Sequence, residues 1–349
     1  FLADAVNALG ENNCVSRTGD LEMLVNRREF LATTLAGFPF ATWHSLVASE
    51  QRGWELGADV AIIGGSLGGC SAALAALRNG LRVILTEETD WIGGQFTSPA
   101  VPPDEHRWIE THGANRSYRE LRTRIRDYYR RYYPLTEVAR KNPNLNPGNG
   151  SVSRLCHEPR VALAVLMDWF APYLSSGQLR LLTEHKPVAA TVNRDRVETV
   201  TVRSRPLGQS LTIAAEYFLD ATELGDVLPL TNTEFIVGAE ARSETNELHA
   251  AEKANPNNQQ AFTMCLAGDH LDGQDFPIEK PAEYGYWRDF IPQLTPPWPG
   301  KLLDFTYTHP STGQPRKLGF QPSGGKHDGI INLWTYRRLI DRKNFPPET

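Results

Sequence analysis

Gly64-Gly65-Ser66-Leu67-Gly68-Gly69 is the stretch of this sequence whose residue types and spacing are best suited to chemistry. It meets G-x-G-x-x-G at the first and last positions, Gly64 and Gly69, and carries Ser66 at the second. The first glycine of such a turn permits a tight reversal after a strand, and the last lets a helix pack close to the sheet. The middle one gives backbone room beside a pyrophosphate. Serine is the next-smallest plausible choice there, and its hydroxyl can donate to a phosphate oxygen. A helix after the turn offers unpaired N–H groups and the positive end of its dipole to phosphate charge. The same turn also has a purely structural reading, as a glycine-rich strand-to-helix connection. Glu87 follows about twenty residues on, where a carboxylate accepts from both ribose hydroxyls and disfavours a 2′-phosphate. Glu88 beside it leaves the assignment open by one residue, and a solvent-exposed strand-end acid is the alternative.

Three further groups carry titratable or aromatic chemistry. Cys156-His157-Glu158 stands at the expected start of a helix, where the dipole lowers a thiol pKa and a histidine can act as base. Its other reading is structural, with Cys156 packed and His157 and Glu158 capping the helix. His106, in Pro102-Pro103-Asp104-Glu105-His106, is a candidate proton shuttle or a loop residue held by Asp104. Trp287, Trp298 and Trp334 either line a substrate pocket or anchor core and loops. Cys14, Cys70, Cys156 and Cys265 are widely spaced with no C-x-x-C pair, which excludes a zinc, iron–sulfur or dithiol framework. No metal site is expected.

The elements that must position these residues are legible in part. Asp59–Ile63 is a short apolar strand, Ser71–Arg78 an Ala/Leu-rich helix and Leu81–Thr86 a second strand, the βαβ order of a parallel sheet covered by helices. Arg116–Tyr133, rich in Arg and Tyr, reads as a helix with a solvated face rather than as a polyanion site. Asn142–Gly150 reads as a loop and Pro159–Leu174 as a helix. Leu179–Leu219 holds three or four β-rich runs split by turn residues, which fits a small antiparallel meander. From Thr231 onward Pro, Trp and polar residues dominate without a period.

Two more stretches turn this pattern into a resemblance. Asp90-Trp91-Ile92-Gly93-Gly94-Gln95 places a glycine pair just beyond the acid, and Tyr217-Phe218-Leu219-Asp220-Ala221-Thr222-Glu223-Leu224-Gly225-Asp226 is an apolar strand ending in small and acidic residues. Taken in order, these features resemble the FAD-dependent oxidoreductase family of the glutathione-reductase-like, two-dinucleotide type. In that family the glycine pair lets backbone lie close to ribose and pyrophosphate, and a strand ending in Asp-Ala-Thr-Gly lies over the dinucleotide. Here Glu223 replaces that last glycine. The resemblance covers Ala58 to Leu230 and implies FAD as cofactor. It points to Gly64, Gly65, Ser66, Gly68, Gly69, Glu87, Gly93, Gly94, Gln95, Asp220, Ala221, Thr222, Gly225 and Asp226 as binding residues, with Val188 near adenine through its backbone. The implied fold is α/β: an FAD-binding Rossmann-like parallel sheet with an inserted β-meander, and a second, mixed α+β substrate domain. Residues 54–105 and 155–230 would form the discontinuous FAD-binding domain, 106–154 a helical insertion and 231–349 a substrate or cap region. The expected reaction is hydride transfer between a small organic substrate and flavin. The alternatives are an NAD-dependent dehydrogenase and a non-catalytic dinucleotide-binding surface protein.

The 349 residues are 40% hydrophobic and 22% charged, which excludes wholesale disorder and a polytopic membrane protein. A net charge of −5 gives no global reason to expect nucleic acid. Asn26-Arg27-Arg28-Glu29-Phe30-Leu31, followed by an apolar stretch to Val47, resembles a twin-arginine export signal. Residues 1–50 are then an export segment and linker, and no stable membrane insertion remains after its removal. The alternatives are an ordinary helix and a cytoplasmic protein. With Phe1 at its start and no second glycine-rich motif before Thr349, the chain reads as a fragment, truncated at its C-terminus.

Overall fold

Apolar strand runs broken by glycine turns organise the molecule. In this computed structural model, which describes residues 54–260, 262, 264–294, 298, 300–309, 311–321 and 331–347, Trp54–Ile63 forms β1, Leu67–Arg78 α1 and Val83–Thr86 β2. The twin-arginine-like segment lies outside the described residues. β1 and β2 run parallel, with Val60 opposite Val83 and Ile62 opposite Leu85. Side chains alternate between the two faces of a strand, and both faces here are apolar, as a covered parallel sheet requires. Val60, Ile62, Val83 and Leu85 join Cys70, Ala73, Leu74 and Leu77 of α1 in one core. Ala61, Ile63 and Ile84 join Val200, Val202, Ile213 and Val227 in another.

Arg116–Tyr132 forms α2, capped by the Asn115 side chain, Glu137–Lys141 forms α3, and Pro159–Ser175 forms α4 with proline in its first turn, where the missing N–H costs nothing. Leu121, Ile125 and Tyr129, four residues apart on one face of α2, are buried in the first core, and α2 packs on α4. The expectation that this basic run is a solvated face is corrected in one respect. Arg122 and Arg126 are buried, 3% and 6% exposed, because Glu105 and Glu110 neutralise them.

The expected antiparallel meander is present, but the first of its β-rich runs is not part of it. Leu179–Leu182, β3, runs parallel to β2 and extends the parallel sheet. His185–Asn193 (β4), Arg196–Ser204 (β5) and Ser210–Asp220 (β6) are antiparallel neighbours, but β6 then lies parallel to β1 along its whole length, from Trp54 opposite Leu211 to Ile63 opposite Asp220. One six-stranded sheet of order β3-β2-β1-β6-β5-β4 results. Beyond Leu230, only Thr231, Ala241 and Asp341 among the described residues are buried. Thr306–Thr308 (β7), Pro315–Gly319 (β8) and Ile331–Asn332 (β9) form a small second sheet. The chain after β9 then returns to the Asn142–Gly150 loop: Arg338 Nε donates to the Gly148 carbonyl at 2.7 Å, and Asp341 N to that of Pro147 at 2.9 Å. Gly148 is obligatory for this clasp, since a Cβ there would lie 1.9 Å from the Arg338 carbonyl oxygen.

Candidate dinucleotide site

The C-terminal ends of β1, β2 and β6 meet at the glycine turn. Gly64, with φ +105°, adopts a conformation closed to other residues, and a Cβ on it would lie 2.3 Å from the Ala221 carbonyl group. A Cβ on Gly69 would lie 2.1 Å from the Gly64 carbonyl oxygen, so the helix and the strand end can touch only as glycines. Gly68 has only the Ser66 hydroxyl near it, at 3.6 Å from such a Cβ, and faces open space otherwise. Ser66 caps α1, its Oγ accepting from Gly69 N at 3.2 Å. That bond uses a lone pair and leaves the hydroxyl proton to donate elsewhere. Among the described residues, the N–H groups of Ser66, Leu67 and Gly68 donate to nothing in the protein.

Glu87, and not Glu88, faces this turn. Its Oε2 accepts from Gly65 N at 2.9 Å, while Oε1 accepts from Thr89 N at 2.7 Å and Thr89 Oγ1 at 2.8 Å. The Glu88 carboxylate instead approaches Lys186 at 3.6 Å. A carboxylate has about four acceptor positions, so Glu87 keeps one free, on Oε2. Thr86 adds a bond from Gly64 N to its hydroxyl at 3.2 Å. Residue types alone gave no sign of Thr86 and Thr89; their single clue is sequence adjacency to the acid.

Gly93 and Gly94 both have positive φ, +109° and +53°, and Gly93 N donates to the Gly65 carbonyl at 2.7 Å, tying the second glycine pair to the first. Gln95 follows on the surface. Val188 lies where the β4–β5 register slips between Pro187 and Ala189, a bulge that leaves its backbone out of the ladder. Asp220 turns inward on its own loop: Oδ1 accepts from Thr222 N and Oγ1 at 3.0 and 2.7 Å, and Oδ2 from Val227 N at 2.9 Å. Thr222 Oγ1 in turn accepts from Asp226 N at 2.7 Å, and Gly225 has φ +70°. These residues hold Ala221 across Gly64, where Ala221 N donates to the Ile63 carbonyl at 2.7 Å.

The residues put forward for catalysis do not form one group. The Cys156 thiol is buried and donates to the Ser153 carbonyl at 3.7 Å, and burial pushes it up to about 11, opposite to the lowering expected of a helix N-terminus. His157 Nδ1 meets the Leu155 carbonyl at 3.2 Å, so thiol and imidazole do not pair. Burial lowers the His157 imidazole to about 4, its ring packs 5.8 Å from that of Phe96, and its Nε2 has no partner among the described residues. Glu158 occupies the cap position of α4 without capping it; its carboxylate accepts from the Tyr133 hydroxyl at 2.5 Å. His106 is exposed and held not by Asp104 but by Trp108 N, which donates to its Nδ1 at 3.2 Å. With Asp104, Glu105, Asn115 and Tyr118 it lines a cleft of about 290 Å³. Trp287 packs edge-on against Tyr286 and Phe290, and Trp334 edge-on against His270 and Phe320, so these two tryptophans belong to separate aromatic groups.

A cradle with three unengaged N–H donors, a pre-set carboxylate and glycines where backbone must come close fits a dinucleotide that carries a pyrophosphate and a ribose. Comparison with known proteins bears on which one. Residues 59–320 match the family described as FAD dependent oxidoreductase. A search of curated proteins returned no match. Among solved structures, Mycobacterium smegmatis Sdh1 in complex with UQ1 aligns at 10% identity over 48% of this chain and 34% of that one, with a TM-score of 0.32. The glycerol-3-phosphate dehydrogenase from Bacillus halodurans complexed with FAD aligns at 16% over 47% and 34%, with a TM-score of 0.29. L-proline dehydrogenase from P. horikoshii aligns at 18% over 50% and 24%, with a TM-score of 0.25. The chain thus spans between a quarter and about a third of these proteins.

Proposed function

The chain belongs to the FAD-dependent oxidoreductase family, and from that premise we propose that it passes a hydride between a small organic substrate and FAD held at the Gly64–Gly69 turn. The observation that carries this reading is the set of free N–H groups on Ser66, Leu67 and Gly68, framed by glycines that no side chain could replace. FAD, when bound, supplies the two-electron redox chemistry; the protein supplies binding, orientation and proton handling. The N–H groups and the Ser66 hydroxyl hold the pyrophosphate, and the free acceptor position of Glu87 takes a ribose hydroxyl. The bulged backbone at Val188 meets adenine. Gly93, Gly94 and Gln95 carry the chain past the cofactor, and Asp220, Thr222, Gly225 and Asp226 keep Ala221 seated over Gly64.

On the substrate side we assign proton transfer to His106, which is exposed and lines the cleft. His157 enters as a neutral imidazole behind Phe96, and Cys156 as a packed thiol. The acidic chain, whose buried α2 arginines are already paired, presents no nucleic-acid surface in this reading. A second small molecule accepts the electrons. No helix among the described residues is long and apolar enough to cross a membrane. Export by the twin-arginine route, which carries proteins folded around their cofactor, completes the proposal.

An absorption spectrum of the purified protein, followed through anaerobic titration with candidate substrates, tests it. A bound yellow chromophore bleached by a substrate is the expected result. Failure to take up FAD would remove the reading, and FAD that no donor reduces would favour a non-catalytic dinucleotide-binding protein.

A further inference from the structure

Glu223 stands three residues beyond the end of β6, where the family resemblance calls for glycine, and its side chain lies close to Gly94. The space that a Cβ would fill on Gly94 lies 3.1 Å from Glu223 Oε1, 3.2 Å from Ser66 Cα and 3.5 Å from Leu67 N. The carboxylate and the cap and first residue of α1, Ser66 and Leu67, therefore border the same gap beside Gly94. Glu223 is exposed, and among the described residues it makes no hydrogen bond or ion pair. Its backbone is fixed, because Asp220 and Thr222 lock the preceding turn and Ala221 is seated on Gly64. Gly94 leaves it the room. A helix N-terminus carries about half a positive charge and stabilises a nearby anion, so a carboxylate here complements α1 until a pyrophosphate arrives and then opposes it.

We propose that Glu223 is an internal anion at the edge of the pyrophosphate approach, and so sets how tightly, and with what salt dependence, the dinucleotide is held. The proposal rests on the FAD reading of this turn. Like charges brought together at a solvated surface repel, and salt screens that repulsion within a Debye length.

The test measures binding of FAD, ADP and riboflavin to the whole protein and to Glu223→Gln, at low salt and at high salt. Substitution is expected to tighten FAD and ADP roughly three- to tenfold at low salt, with the gain shrinking at high salt. Riboflavin, which lacks the pyrophosphate, is expected to bind both proteins equally. The unliganded variant is expected to melt slightly lower, because α1 loses its complementing charge. Equal affinities for FAD in the two proteins would overturn the proposal alone. Weaker binding in the variant would also overturn it, and would make Glu223 an acceptor for cofactor hydroxyls. No uptake of FAD or ADP by either protein would overturn the cofactor reading and the proposal together.

Discussion

In the proposed reading Glu87 serves turn and ligand at once. Three of its acceptor positions bind Gly65 and Thr89, so the carboxylate is held in place with one acceptor position left, the one the proposed reading gives to a ribose hydroxyl. Thr89→Val removes the hydroxyl bond that aims it while leaving the backbone bond. FAD affinity is then expected to fall about threefold to tenfold, the worth of one charge-assisted hydrogen bond, with little change in melting temperature. Fluorescence titration of both proteins checks it. His157 makes a prediction in pH. Burial lowers its imidazole from 6.5 to about 4, so below pH 6.5 the unfolded chain takes up a proton that the folded protein refuses. Its contribution to stability is complete above pH 6.5 and is lost as the pH falls toward 4, with a slope of about 1.4 kcal/mol per pH unit. Denaturation midpoints across that range should show this slope in the wild type and its absence in His157→Gln. The acid and the glycine positions were legible because their residue types are rare solutions to a geometric problem. The state of Cys156 was not, since a thiol's pKa depends on burial, which no local pattern reports.

At the scale of elements, α2 is held by ions as well as by its apolar stripe. Arg122 pairs with Glu105 and Glu110, Arg126 Nη2 meets Glu110 Oε1 at 2.6 Å, and the Tyr118 hydroxyl donates to Glu105 at 2.6 Å. Arg122→Met leaves Glu105, itself 3% exposed, as a buried charge without its main partner. The expected cost is about 3–5 kcal/mol, measured by chemical denaturation, because breaking a buried pair is far more expensive than never having made it. Glu110 adds an acid limit: burial alone would raise its carboxyl, but Arg126 and Arg122 hold it below the ordinary range. Its stabilisation is therefore present above the unfolded carboxylate range and is lost as the pH falls through the lowered folded value. The helix itself was readable from its composition. The burial of two of its arginines was not, because their partners lie in the 105–110 segment, which has no period of its own.

At the scale of the molecule, the proposed twin-arginine export makes a prediction: changing Arg27 and Arg28 to lysine is expected to retain the protein in the cytoplasm, as cell fractionation would show. The βαβ unit with its cofactor turn was written in the sequence alone: short apolar runs buried on both faces, a glycine turn that only glycine can make, an acid at the next strand end and a second glycine pair. All of these are local or nearly local constraints. The tertiary structure alone decided the rest. The meander joins the parallel sheet because β1, ten residues long, reaches beyond its apolar core and pairs with the whole of β6. The Asn142–Gly150 loop is clasped by a segment nearly two hundred residues away, as Arg338 and Gly148 show. Glu223 comes to border the same gap beside Gly94 as Ser66 only once β6 is seated on Gly64. Pairings of such long sequence separation leave no period in the chain, so they become visible only when the sheet is assembled.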